Sequence, residues 1–302
     1  MTRARGRTAA RARSRRRPLG VFDSGIGGLT VVRHLLRLLP ERRIVYFGDT
    51  ARVPYGAKSD ATVRRFGEEA VKFLSHYDVD AIVVACNTVS AVALRPLQRE
   101  FRSLPITGVI EPGAEAAVRE TKNGRIGVIG TRATVASGAY VQAIHAAARR
   151  LGKRVKVDAV ACPLLVPLAE EGMENSRAAR EVLRDYLAPL QRRRIDTLIL
   201  GCTHYPPFRR AIQGVLGRRV ELVDSGEATA RQLARQAREA MRAAGRVRPK
   251  GRRGTLECFV SDIPLQFERI GRRFLGRSMG KVGLIPQDDL PWFERNPIQG
   301  GR

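Results

Sequence analysis

Two segments of the chain end a short apolar run with a cysteine. Residues 80–88 read Asp-Ala-Ile-Val-Val-Ala-Cys-Asn-Thr, and residues 196–204 read Asp-Thr-Leu-Ile-Leu-Gly-Cys-Thr-His. In each segment an acidic residue stands six positions before the cysteine, and Cys86 and Cys202 are 116 positions apart. Apolar runs of this kind are typical of strands buried on both faces. The repetition predicts two related halves, each presenting one thiol at the end of a strand.

The side chains at these strand ends can exchange protons. Cys86, Cys202 and His204 carry groups that titrate within reach of neutral pH, and open α/β sheets bind ligands at the carboxyl ends of their strands. Strand packing does not require the sequence Cys-Thr-His at that place. The alternative interpretation is a pair of buried structural cysteines, because free cysteine is among the most buried residue types.

A glycine-rich loop near the amino terminus is a further candidate binding element. A short strand at residues 20–22 is followed by Asp-Ser-Gly-Ile-Gly-Gly and then by apolar residues at helical spacing up to Pro40. A strand, a glycine turn and a helix together direct backbone N–H groups at an anion. Ile26 stands where a phosphate loop needs lysine, and Thr30 replaces the third glycine of the dinucleotide fingerprint. We therefore expect the loop to bind a carboxylate.

The composition is that of a globular protein, apart from its charge. The 302 residues exceed the size at which one core stops growing, and 43% of them are hydrophobic. No apolar run approaches the roughly 20 residues that span a membrane, so no membrane association is expected. The four cysteines show no C-x-x-C spacing, which argues against a zinc or disulfide framework and favours free thiols in the cytoplasm.

The excess of positive charge is concentrated at the start of the chain. The formal net charge is +26, and the first 17 residues contain eight arginines and no acidic residue. We expect this leader to be a disordered, solvated tail. Such a block can also collect polyanions without sequence preference. A nucleic-acid-associated protein, binding weakly through this leader, is therefore a competing interpretation.

Strand-like and helix-like segments alternate along the rest of the chain, which indicates parallel sheets with crossover helices. The predicted fold class is α/β, with two similar three-layer domains and mainly parallel sheets. Within this pattern we expect a helix from about Ser90 and a turn at residues 111–113. The predicted divisions are a leader at 1–18, a first domain at 19–112 plus 226–276 that contains a basic linker at 246–254, a second domain at 113–225, and a tail at 277–302.

Six motifs in this order resemble the signatures of the bacterial glutamate racemases, within the aspartate/glutamate racemase family. They lie at residues 20–31, 46–56, 85–88, 127–131, 162–168 and 201–206. The resemblance covers residues 19 to about 225, and the strand and helix after the basic linker are similar to the last elements of the family. The leader and the linker have no counterpart in the family core.

The resemblance implies a cofactor-independent enzyme that converts L-glutamate to D-glutamate for peptidoglycan. It implies two α/β domains that face each other across the active-site cleft, with no metal and no cofactor. The residues it marks as catalytic are Cys86, Cys202, Asp23, His204 and Glu170, although Glu171 stands beside Glu170. The residues it marks as substrate-binding are Asp23, Ser24, Tyr55, Gly56, Asn87, Thr88, Thr203 and His204.

This chemistry explains why two thiols are needed. Racemisation removes a proton from one face of the α-carbon and returns one to the other face, which two fixed acid–base groups can do without moving. Proton transfer is most efficient when the pKa lies near the working pH. A free thiol is only about 3% ionised at pH 7, so we expect the pKa of one cysteine to be lowered. A helix beginning after each strand would favour the thiolate, and His204 could hold its proton.

Several alternatives stay open at this stage. Related enzymes with paired thiols act on aspartate or hydantoins, and the sequence separates these substrates only by signature. We expect a cytoplasmic homodimer, but the residues do not establish the oligomeric state or the need for an activator.

Overall fold

The computed structural model describes residues 17–245, 253–287 and 291–294. The predicted leader at 1–18 and the basic linker at 246–254 therefore lie almost entirely outside the described residues. No helix in the described part of the chain has both the length and the apolar character needed to cross a membrane.

Strands and helices alternate along the described chain, as the sequence predicts. The strands are β1 (Leu19–Asp23), β2 (Ile44–Gly48), β3 (Ala81–Val84), β4 (Ile106–Gly108), β5 (Arg125–Gly130), β6 (Lys156–Ala161), β7 (Thr197–Gly201), β8 (Glu221–Asp224), β9 (Leu256–Val260) and β10 (Val282–Leu284). The helices are α1 (Leu29–Leu38), α2 (Asp60–Ser75), α3 (Asn87–Val92), α4 (Leu94–Glu100), α5 (Ile110–Glu120), α6 (Arg132–Ala136), α7 (Ala139–Arg150), α8 (Leu165–Glu170), α9 (Arg177–Arg192), α10 (Arg209–Leu216), α11 (Ser225–Ala243) and α12 (Pro264–Leu275).

The strands form two parallel sheets, which confirms the predicted α/β class. One sheet has the order β10-β9-β2-β1-β3-β4, and the other has the order β6-β5-β7-β8. The central strands β1 and β7 are buried along their whole length, because helices cover both faces of each sheet. Helix α11 packs against both α1 and α5. The two halves are thus joined through helix packing as well as through the chain.

The register of the parallel strands brings the polar strand ends together. In the first sheet Phe22 pairs with Val84, so the residues after β1 and β3 leave the sheet side by side. In the second sheet Gly130 pairs with Gly201, so the residues after β5 and β7 do the same. Parallel strands expose their carboxyl ends at one edge of a sheet. Each cysteine therefore has a polar loop beside it.

Two local predictions at helix starts are wrong. Residues 111–113, predicted as a turn, lie in the first turn of α5; Pro112 is tolerated there because the first N–H groups of a helix have no intrahelical acceptor. The helix predicted from about Ser90 begins at Asn87, directly after Cys86. This earlier start puts a helix N-terminus against the thiol-bearing residue.

The predicted tail at 277–302 contains part of the first sheet. β10 pairs with β9, and Trp292 is completely buried, with its ring 5.2 Å from that of Phe47. The Trp292 indole donates to Glu69 at 3.3 Å, and the Gln287 amide donates to Asp49 at 2.9 Å. The other predicted domain limits stay a prediction, since α5 and α11 pack against each other across them.

We expect Trp292→Ala to lower the free energy of unfolding by about 3–5 kcal/mol, because it empties a closely packed aromatic site. Urea unfolding followed by far-ultraviolet circular dichroism measures this without the fluorescence of Trp292, the single tryptophan of the chain. Leu265→Ala is the control: its side chain is 80% exposed, and its effect should stay within about 0.5 kcal/mol. Equal stability of the two variants would contradict a structural role for the segment.

Candidate active site

Cys86 lies at the carboxyl end of β3 and caps the amino terminus of α3. Its side chain is buried, and the thiol donates to the Ser24 hydroxyl at 3.5 Å. Burial, and then the negative charge of Asp23, raise the pKa of Cys86 to about 12. The predicted helix N-terminus is present, but desolvation outweighs it. Cys86 therefore holds its proton in this state, contrary to a lowered pKa at this cysteine.

Cys202 follows β7 and is also buried. A turn comes after it, a short 3-10 helix follows at Pro206–Phe208, and the next α-helix, α10, begins only at Arg209. The predicted helix N-terminus is therefore absent at this cysteine. Its neighbour is instead the imidazole of His204, whose Nδ1 lies 3.9 Å from the sulfur. A side chain, rather than a helix, provides the polar partner of the second thiol.

His204 is held between Cys202 and a carboxylate. Its Nε2 is 2.9 Å from Oε1 of Glu170, the last residue of α8, whereas Glu171 is exposed. Burial lowers the pKa of His204, but the hydrogen bonds and charges of Cys202 and Glu170 outweigh it and raise the pKa to about 10. The imidazole is therefore a cation at neutral pH. Of the two neighbouring glutamates, Glu170 is the one that contacts His204.

Asp23, at the end of β1, lies between the two strand ends. It is completely buried and accepts from the Thr203 hydroxyl at 3.4 Å and from the Gly25 amide at 3.2 Å. Burial raises its pKa, against the lowering effect of the His204 charge. A Cβ added at Gly27 would lie 2.6 Å from Nδ1 of His204. The glycine loop can approach the second strand end only because that atom is missing.

Asp23 connects the two cysteine-bearing strand ends. The charge of a Cys202 thiolate is among the causes that raise the pKa of Cys86. Asp23 acts on Cys86 and contacts Thr203, the residue after Cys202. Cys86 donates to Ser24, and Asp23 beside it accepts from Thr203, so hydrogen bonds connect the strand ends that carry the two thiols. Within the described residues, no three His, Cys, Asp or Glu side chains are grouped as a metal site would need.

The predicted substrate-binding residues differ in the direction of their hydrogen bonds. The Thr88 hydroxyl is hydrogen-bonded to that of Thr131 at 3.0 Å, across the two sheets. The Tyr55 hydroxyl, in contrast, donates inward to the buried carboxylate of Asp49. Gly56 packs against Thr131, and a Cβ added at Gly56 would lie 2.6 Å from the Cβ of Thr131. Tyr55 therefore shapes this loop, while its hydroxyl is already engaged.

Sequence reasoning missed two side chains that contact Asn87. The Tyr140 hydroxyl donates to Oδ1 of Asn87 at 2.6 Å, and the Ser225 hydroxyl lies 3.4 Å from the same atom. The two residues lie 53 and 138 positions from Asn87 in the sequence. Nothing in their local sequence indicates a contact with the Cys86 strand end.

Comparisons with a family model and with individual proteins give the same family. A model of the Asp/Glu/hydantoin racemase family matches residues 19–233. A glutamate racemase of Geobacter metallireducens is 49% identical over 264 residues, which cover 87% of this chain and 94% of that protein. A glutamate racemase of Chlorobaculum tepidum is 46% identical over 268 residues, 89% of this chain and 96% of that protein.

Solved structures agree with this result. A glutamate racemase from Bacillus anthracis superposes with a TM-score of 0.81 at 40% identity, covering 91% of this chain and 98% of that one. A glutamate racemase from Francisella tularensis, crystallised in complex with D-glutamate, has a TM-score of 0.79 at 37% identity, covering 90% of this chain and 98% of that one. The predicted fold is confirmed by these neighbours.

We expect Glu170→Gln to lower the pKa of His204, because the variant removes the carboxylate that stabilises the imidazolium. A pH titration of the imidazole followed by nuclear magnetic resonance measures this pKa in the variant and in the unmodified protein, where Cys202 and Glu170 raise it. Glu171→Gln, one residue away and exposed, is the matched control and should leave the titration unchanged. A shift in the control but not in Glu170→Gln would contradict the assigned contact.

The same variant should alter stability in a defined pH range. A histidine whose pKa is raised on folding stabilises the protein fully below its unfolded pKa of about 6.5, and this contribution is lost as the pH rises through the folded value. We therefore expect the deficit in free energy of unfolding of Glu170→Gln to be largest near pH 6, where carboxylates are ionised and histidine is protonated, and to shrink towards pH 10. Denaturant unfolding at several pH values tests it.

Proposed function

Because the chain belongs to the Asp/Glu/hydantoin racemase family, we propose that it interconverts L- and D-glutamate by proton transfer between Cys86, Cys202 and the α-carbon. The observation that carries the proposal is the hydrogen-bonded connection between the two strand ends, in which Cys86 donates to Ser24 and the neighbouring Asp23 accepts from Thr203, the residue before His204 and after Cys202. Relatives named glutamate racemase match over 94–97% of their length. The similarity to these relatives therefore extends over nearly their whole length.

Two fixed groups suit this reaction because the substrates are mirror images. With one enantiomer, one sulfur takes the α-proton as a thiolate while the other donates a proton to the opposite face as a thiol. With the other enantiomer the roles are exchanged. Each turnover leaves the protonation states of the two cysteines reversed. The enzyme can then process the opposite enantiomer, or the proton can be relayed through neighbouring groups before the next turnover.

The charges around the thiols support this division of roles. Burial and Asp23 keep Cys86 in the thiol form, and the His204 cation beside Cys202 can neutralise a thiolate there. A substrate ammonium bound near Asp23 would compensate the carboxylate charge that raises the pKa of Cys86. Substrate binding would thereby make proton removal by Cys86 easier.

The carbanion formed at the α-carbon requires stabilisation by donors already in place. The hydroxyls of Ser24, Thr88 and Thr203 and the amide of Asn87 stand at the strand ends that carry the two thiols. We propose that they bind the substrate carboxylates, with Glu170 holding His204 and Tyr55 and Gly56 closing one side. A water-poor cleft strengthens each of these interactions.

The substrate and the setting are proposed from the relatives. Glutamate is favoured over aspartate or hydantoin because the proteins of 46–49% identity are named glutamate racemases. Supply of D-glutamate for peptidoglycan, and action in the cytoplasm, follow from that activity. All four cysteines are unpaired, as in proteins of reducing compartments. A homodimer, and weak nucleic-acid binding through the leader, stay predictions.

We expect Cys86→Ala and Cys202→Ala each to reduce racemisation by at least about 10³-fold, because each removes one of the two acid–base groups. Circular dichroism of either glutamate enantiomer measures the reaction, and aspartate assayed in parallel tests substrate choice. Cys258→Ala is the control: this buried thiol lies on β9, and its loss should leave turnover nearly unchanged. Substantial two-way turnover by either active-site variant would refute the two-thiol mechanism.

Turnover should need no additive. We expect the purified protein to racemise glutamate at the same rate with and without pyridoxal phosphate, and with and without EDTA, because the proposed proton transfers use only its own side chains. The assay is the same dichroism measurement after dialysis. Loss of activity with EDTA, restored by a divalent metal, would indicate a metal-dependent reaction instead.

A further inference from the structure

Tyr140 contacts the ends of both cysteine-bearing strands. It is the second residue of α7 and is 2% exposed. Its ring lies against Gly201, the residue before Cys202, where an added Cβ would be 3.0 Å from a ring carbon. Its hydroxyl donates at 2.6 Å to Asn87, the residue after Cys86. One rigid side chain thus spans the distance between the two strand ends.

The Asn87 amide is held on one side only. Its oxygen accepts from Tyr140 and lies 3.4 Å from the Ser225 hydroxyl, which also reaches the Leu200 carbonyl at 3.2 Å. Its nitrogen is buried and has no hydrogen-bond partner among the described residues. Because the amide is planar, holding the oxygen fixes the direction of the nitrogen. A buried donor without a partner is costly, so a ligand that accepts from it is favoured.

The orientation of the amide follows from the Tyr140 hydroxyl. Burial raises the pKa of Tyr140, so the hydroxyl stays protonated at neutral pH. It donates to the Asn87 oxygen at 2.6 Å, and the Ser225 hydroxyl is a second hydrogen-bonding neighbour. In the observed orientation the amide oxygen accepts from Tyr140 and lies near the Ser225 hydroxyl, and the amide nitrogen is left for another acceptor. The tyrosine therefore selects the orientation in which Asn87 offers its N–H groups.

We infer that Tyr140 is a positioning residue for the reaction, which aims the Asn87 amide at the substrate carboxylate and keeps the Cys86 and Cys202 strand ends in register. This inference rests on the proposed racemase function. A carboxylate gains negative charge as the α-proton leaves, so a donor already aimed at it stabilises the transition state more than the bound substrate. Ser225 supports the same amide from α11.

The test is Tyr140→Phe, which keeps the ring against Gly201 and removes only the hydroxyl. We expect kcat/KM for glutamate to fall about tenfold, the effect of one lost hydrogen bond, with most of the loss in kcat. The loss must be equal for both enantiomers, since their equilibrium constant is one. Tyr77→Phe is the control: that hydroxyl is buried without a hydrogen-bond partner in the described chain, and its removal should not change kcat/KM.

A double-mutant cycle with Asn87→Ala separates positioning from a general structural effect. If Tyr140 acts through Asn87, Tyr140→Phe should change kcat/KM by less than about twofold in the Asn87→Ala background. An equal tenfold loss in both backgrounds, or no loss in the unmodified background, would overturn the inference. Thermal unfolding of each variant by circular dichroism checks that the fold is kept.

The outcomes also distinguish this inference from the function beneath it. An active unmodified enzyme with a fully active Tyr140→Phe variant would refute the positioning role and leave the racemase proposal intact. An unmodified enzyme that turns over neither enantiomer of glutamate would refute both. Ser225→Ala, which removes the longer contact, should reduce kcat/KM less than Tyr140→Phe; the reverse order would contradict the leading role of the tyrosine.

Discussion

The site depends on the interactions that compensate the buried carboxylate of Asp23. A charge without solvent must be compensated by nearby donors or by an opposite charge. Here the Gly25 amide comes from its own loop, while the Thr203 hydroxyl and the His204 cation come from the other half of the protein. Neither half alone supplies all of these partners. Asp23 therefore links the two halves at the point where chemistry is proposed.

Similar strand ends produce dissimilar electrostatic environments for the two cysteines. Cys86 caps a helix and faces Asp23, so burial and a negative charge keep it protonated. Cys202 precedes a turn and faces His204, which Glu170 helps to keep cationic. The local backbone differs after the cysteine, and the nearest charge has the opposite sign. A repeated sequence thus provides two thiols in different protonation environments, which a reaction needing one acid and one base requires.

The end of the chain supports the loop on one side of the site. Asp49, completely buried after β2, accepts from the Tyr55 hydroxyl, from Ser261 at 2.8 Å and from Gln287 at 2.9 Å. Trp292 covers the same region and bonds to Glu69. Residues more than 200 positions apart in sequence therefore hold the Tyr55 loop. A segment that reads as a tail from the sequence thus packs against the buried groups that hold this loop.

The sequence by itself determined the α/β class and the placement of both cysteines at strand ends, because buried strands and crossover helices have distinct apolar periods that act locally. The family motifs also marked Asp23, His204 and Glu170 as candidate site residues. Only the tertiary structure decided which partner each thiol meets, and that Tyr140 is bonded to Asn87. Those contacts depend on how strands pair and how two sheets face each other. Such long-range packing leaves no period or spacing in the local sequence.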